Sequence, residues 1–138
     1  MGYGIEALNV YAGIARIAVP ELFAGRGLDT DRLANLAMAE RSVGLPFEDP
    51  VTNAVNAARP LLDALSTADR ESVELLVTST ESGVDLSKSV ASYVHEYLGL
   101  SRTCRLLEVK QACYAATAAV QLATGYLASG AAPGAKAL

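Results

Sequence analysis

The sequence lacks the long apolar runs, the basic clusters and the metal-ligand spacings that mark several large functional classes. Hydrophobic residues make up 51% of the 138, but they are spread out, and no stretch approaches the ~20 apolar residues needed to span a bilayer. The opening MGYGIEALNV lacks the basic start and long apolar core of a signal peptide. A net charge of -4 with no basic cluster gives nucleic acid no electrostatic footing. A single His and two cysteines, Cys104 and Cys113, do not complete a metal site. These absences predict a soluble, cytoplasmic protein with neither nucleic acid nor membrane as partner, a compartment in which a structural disulfide is not expected.

What is present reads as a folded α/β chain. The length suits about one domain, and 19% charged residues argue against disorder. In IEALNVYAGIARI the apolar Ile5, Leu8 and Val10 predict a first strand. VPELFAGRG then sets Pro20 at a helix start and Gly25 and Gly27 at its end. A short helical stretch is predicted over residues 30–39. From Asp49, an N-cap, and Pro50 the apolar residues Val51, Val55, Ala58, Leu62 and Leu65 recur every third or fourth position, giving a helix with one buried stripe. Pro60 lies inside it and removes one backbone donor.

SVELLVTST reads as a strand of the kind buried in parallel sheets, ending in the polar run Thr78 to Gly83. A helix is predicted over residues 85–98, with Leu86, Val90, Tyr93, Val94 and Tyr97 inward and Gly99 as its stop. CRLLEV is a further strand, and residues 113–128 a helix almost without charge, expected to be buried at the centre. Alternation of this kind predicts a mixed, mostly parallel sheet layered with helices. Ligands then bind beyond the carboxyl ends of the strands, where Glu81 and Cys113 both stand. A cysteine at a helix N-terminus meets free N–H groups and partial positive charge, which favour a thiolate. The final ASGAAPGAKAL ends on what looks like the start of another strand, so residues 1–138 are expected to be the N-terminal part of a longer protein, cut within that strand.

Two stretches carry a resemblance. EVKQACYAATAAVQLA, together with the earlier TSTESGVDLSKS, resembles 3-hydroxy-3-methylglutaryl-CoA synthase, a condensing enzyme of the thiolase fold. The resemblance runs from Gly4 to the end of the chain. ALNVYAGIARI and SVGLPFEDPVTNAVNAA are similar to the synthase-like enzymes of polyketide β-branching cassettes. The resemblance implies that Cys113 takes an acetyl group from a thioester and that Glu81, within Thr80-Glu81-Ser82, is the general acid/base. A carboxylate does this work when burial raises its pKa toward neutrality. It implies further that Asp29 contacts the acyl-thioester ligand and that the family's catalytic histidine falls beyond residue 138.

The expected reaction joins an acetyl thioester to a β-keto polyketide thioester, with acyl carrier proteins as donor and acceptor partners. A homodimer is implied, and no metal or redox cofactor. One alternative is the primary-metabolic synthase, using coenzyme A thioesters; another is a non-catalytic thiolase-fold scaffold, which would need neither Cys113 nor Glu81. His95, on the outer side of its predicted helix, reads as a surface histidine, and Cys104 as an inert core thiol.

Overall fold

The computed structural model describes residues 2–138, Arg32 by its backbone alone. Two compact units are present, Ala12–Asp49 and a larger one made of the N-terminal residues up to Tyr11 with Pro50–Leu138.

In the smaller unit, β1 (Ala15–Ala18) pairs antiparallel with β2 (Glu40–Val43), Ala15 opposite Val43 and Ala18 opposite Glu40. Helix α1 (Val19–Arg26) starts with Pro20 in its first turn and stops at Gly27, whose φ of 60° lets its N–H turn back to the last carbonyls. A short 3-10 turn, Thr30–Asn35, stands where a longer helix to residue 39 was expected. β2 was not foreseen, because ERSV is mostly polar and exposed; its pairing with β1 defines it, not its own pattern.

The larger unit holds α2 (Pro50–Asp63), α3 (Thr67–Glu71), β3 (Val73–Ser79), α4 (Val90–Leu98), β4 (Arg105–Val109), α5 (Ala115–Ala128) and the short β5 (Lys136–Ala137). Its three strands are parallel, in the order β4-β3-β5. Because β4 and β5 flank β3 on opposite sides, right-handed crossovers send α4 and α5 to opposite faces of the sheet. α4 and α2 pack on one another, and Val51, Leu62, Val73, Leu76, Val94 and Leu98 form the cluster between them and the sheet. Leu62, Val90, Val94 and Leu98 are at most 2% exposed; burying each stabilises the fold by about 1.5–3 kcal/mol. Pro50 begins α2 and Pro60 lies within it, as the sequence predicts.

Several expectations are corrected. Residues 5–10 form no strand: Ile5, Leu8 and Val10 are 77%, 80% and 76% exposed, and a strand exists only where a neighbour completes its hydrogen bonds. This segment is held instead by Asn9, which donates to the Ala57 carbonyl at 2.8 Å, and by the Glu6–Lys136 ion pair. α4 begins at Val90, not near Asp85, because the Asp85 carboxylate accepts from the Ser87 and Lys88 N–H groups at 2.7 and 2.9 Å and keeps the chain in a turn. Leu86 and Tyr97 are accordingly exposed, not inward.

α5 is not buried all round. Only Ala115 and Ala119 are covered, while Val120 and Leu122 are 56% and 49% exposed, since one side of the helix meets the sheet and nothing among the described residues meets the other. His95 is half-buried, its Nε2–H donating to the Ser101 carbonyl at 2.9 Å, so it ties the end of α4 to the next turn. No helix among the described residues is long and apolar enough to cross a membrane.

Candidate functional site

β3 and β4 run side by side with Thr78 opposite Glu108 and Ser79 opposite Val109, so the chain leaves both strands at the same edge of the sheet. After β3 it enters a ten-residue polar loop, residues 80–89. Thr80 Oγ1 accepts from the Ser82 N–H at 3.0 Å, which curls the loop around Glu81. After β4 it passes two residues into a tight 3-10 turn, Ala112–Tyr114, and then into α5. Ala112 has a φ of 42°, a left-handed conformation that an alanine adopts only at a cost. The next residue is Cys113.

The two arms meet. The Cys113 thiol donates to Glu81 Oε1 at 3.5 Å, across 32 positions of sequence. Cys113 stands in the turn just ahead of α5, two residues before the α-helix proper, and not at its first residue. Both side chains are exposed. The burial that would make Glu81 a strong base is therefore not supplied by the described residues.

The remaining candidates sort themselves by environment. Cys104 is buried, and burial first, with the Glu74 carboxylate second, pushes its thiol above the usual range, as suits an inert core group. Asp29 belongs to the smaller unit, where its Oδ1 accepts from the Asp31 N–H at 2.9 Å and caps the 3-10 turn. Among the described residues no cluster of three His, Cys, Asp or Glu could hold a metal.

Motif spacing did not single out Glu108. Its Oε2 accepts from the Val90 N–H at 2.7 Å, and its Oε1 lies 3.1 Å from where a Cβ on Gly83 would stand. It sits inside the same EVKQACY run as Cys113, yet nothing local in that run marks a contact 18 residues away.

A cavity of about 270 Å³ opens on the other side of β3's end, between α2 and α4; it is lined by apolar groups such as Ala54, Leu61 and Val94, with Thr78 and Ser79 at its floor. Neither Cys113 nor Glu81 lines it. The contact between the two side chains lies outside this cavity.

Comparison with known proteins bears on what this pair does. No protein-family model matches the chain. It is 57% identical over 135 residues to the polyketide biosynthesis 3-hydroxy-3-methylglutaryl-ACP synthase PksG of Bacillus subtilis, covering 98% of this chain and 32% of that protein. Over 129 residues it is 31% identical to the hydroxymethylglutaryl-CoA synthase of Enterococcus faecalis, covering 93% of this chain and 33% of the relative.

A solved structure of Bacillus PksG, described as an HMG-CoA synthase, superposes with a TM-score of 0.92 at 56% identity, over 97% of this chain and 33% of that one. The HMG synthase of the curacin biosynthetic pathway, in complex with acetyl donor-ACP, gives 0.90 at 51%, over 97% and 33%. The chain spans about a third of the length of the curated relatives it matches. Its sheet and helices are those of the HMG synthase fold.

Proposed function

This chain belongs to the 3-hydroxy-3-methylglutaryl synthase family, and from that premise we propose that it carries the nucleophile and the general base of a polyketide β-branching condensation. The observation that carries the reading is the 3.5 Å contact between the Cys113 thiol and Glu81. Thiol and carboxylate are the two groups the chemistry requires, and two separate strand ends deliver them to one point.

In the first stage the Cys113 thiolate attacks the carbonyl of an acetyl thioester; a new C–S bond forms and the donor's thiol leaves with a proton. In the second, Glu81 takes a proton from the methyl of the acetyl group, and the carbanion adds to the β-ketone of the acceptor thioester. The alkoxide that results takes a proton, and water cleaves the Cys113 thioester to release a 3-hydroxy-3-methylglutaryl-type product. An exposed carboxylate is too weak a base for a methyl proton, so the reading requires that substrate or further chain cover the pair and exclude water.

Acyl carrier proteins as donor and acceptor are favoured over coenzyme A by the 57% identity to an ACP synthase against 31% to a CoA synthase, and by the donor-ACP bound to the curacin enzyme. A ligand contact for Asp29, a homodimer and chemistry without metal or redox cofactor complete the proposal, with this chain as part of a larger thiolase-fold condensing domain.

The test is intact-mass measurement of the full-length protein after exposure to acetyl-ACP or to acetyl-CoA. Acetyl on Cys113, gained faster from the carrier protein, is the expected result. Faster acetylation from coenzyme A would favour the primary-metabolic reaction, and no acetyl on Cys113 from either donor would sink the reading.

A further inference from the structure

We propose that Glu108 is a positioning residue, which holds the loop bearing Glu81 against Cys113. The inference rests on the reading above that these two side chains work together. Both oxygens of the Glu108 carboxylate are turned toward that loop and its end. Oε2 accepts from Val90 N–H at 2.7 Å, the first N–H of α4. Ser89, at the N-cap, makes no side-chain capping bond, so a carboxylate on the neighbouring strand takes over the cap. A negative charge there is favourable, and its hydrogen bond is charge-assisted.

α4 itself cannot yield. Val90, Ala91, Val94 and Leu98 are all at most 2% exposed, so the far end of the loop is fixed to the core, and Glu108 fastens that end to the tip of β4. Oε1 lies close to the middle of the loop. It lies 3.1 Å from the Cβ position of Gly83, with Lys110 Nζ 3.7 Å from the same point. Gly83 follows Glu81 by two residues, and its missing side chain is what lets the loop lie so near the carboxylate. Glu108 therefore fastens the far end of the loop by a hydrogen bond and packs close to it at Gly83, while Glu81 projects from the near half toward Cys113. Neither of these carboxylate contacts involves the reacting atoms; the effect on Glu81 travels through the loop backbone.

The test is a double-mutant cycle read on Cys113 itself. Iodoacetamide alkylation of Cys113 in the full-length protein is followed at neutral pH by mass mapping, with buried Cys104 as internal reference. Glu81→Gln removes a negative charge beside the sulfur and should speed alkylation by roughly 3- to 10-fold. In a Glu108→Ala background the same change should alter the rate by less than about 1.5-fold, because the carboxylate is no longer held there. Glu108→Gln keeps an oxygen that can accept from Val90 N–H and should restore the Glu81 effect.

Gly83→Ala, whose Cβ would stand 3.1 Å from the same oxygen, must part loop and carboxylate by a few tenths of an ångström and should weaken the Glu81 effect, and it decides the matter should Glu108→Ala fail to fold. A Glu81 effect of full size in both Glu108→Ala and Gly83→Ala would overturn the proposal. So would a loss that Glu108→Gln does not restore, or the absence of any Glu81 effect in the parent. The readout needs no turnover, so a parent protein that alkylates as described yet condenses nothing would count against the proposed function and not against Glu108.

Discussion

Two strand-loop-helix arms build the candidate site, and they are built in opposite ways. The arm from β3 to α4 has a long polar loop that ends in a helix locked into the core; the arm from β4 to α5 has a short strained turn that opens into a helix half uncovered. The first arm carries a carboxylate on a segment of ten residues that a neighbouring strand must steady. The second carries a sulfur directly after a residue in a left-handed conformation. A nucleophile must stand still while successive substrates come to it, whereas a base has to reach a proton on a group already bound. On the proposed reading, the difference between the arms follows that division.

The largest effect should come from breaking one arm at a time. Cys113→Ala removes the sulfur and should abolish both acetylation and condensation in the full-length protein. Glu81→Gln keeps size and hydrogen bonding but removes basicity, so acetyl should still accumulate on Cys113 while condensation falls by a factor on the order of 100 to 10,000. Intact mass reads the first stage and product formation the second. Condensation at the parental rate in Glu81→Gln would show that the base lies elsewhere. Loss of acetylation in the same variant would show that the loop supports the turn.

A second pair sharpens the contrast in burial. Leu98, on α4, is 2% exposed; Leu122, on α5, is 49% exposed. In the 138-residue chain Leu98→Ala should lower stability by about 2–5 kcal/mol through the lost contacts and the cavity left behind. Leu122→Ala should change it by less than about 0.5 kcal/mol. Urea unfolding midpoints decide. Equal losses would mean that α5 is packed in solution on its open side as well, and the two arms would then differ in their loops alone.

The same contrast explains how much could be read from the sequence. α1, α2 and β3 were legible because local rules fix them: Pro20 and Pro50 at helix starts, Gly27 at a stop, and an apolar run flanked by polar residues. Glu81 and Cys113 were legible as residues that follow parallel strands, and the structure adds the contact that joins them. The start of α4 was missed because the bonds Asp85 makes to Ser87 and Lys88 imitate a helix cap while holding a turn. β2 was missed, and the strand read over IEALNVYAGIARI is kept only at its end, in β1, because the two strands specify each other across 22 to 28 positions. Residues 5–10 carry an apolar pattern without a strand to pair with, and α5 an all-round apolar surface with cover on one side only. In both, composition describes what a segment tolerates, while neighbours decide what it becomes. Glu108 belongs to the same class, since its role exists only once the loop has folded over β4.

The smallest expected effect lies in the strained turn. Ala112 holds a φ of 42°, and a left-handed residue with a Cβ costs roughly 1–2 kcal/mol against the right-handed form. Ala112→Gly removes that cost but makes the unfolded chain more flexible by a penalty of about 0.5–1 kcal/mol, so the net change should be a gain of at most about 1.5 kcal/mol. Ala112→Val adds a branched side chain to a conformation that branched residues avoid, and should lose about 1–3 kcal/mol. Thermal unfolding measures both. Acetylation separates strain that merely persists from strain that aims the sulfur: if the turn sets the direction of Cys113, Ala112→Gly should acetylate more slowly than the parent despite equal or greater stability. An Ala112→Gly protein that is no less stable and acetylates at the parental rate would mean that the turn's geometry survives without its strain. The fixed direction of the nucleophile would then come from the start of α5, where Ala115 is buried, and not from Ala112.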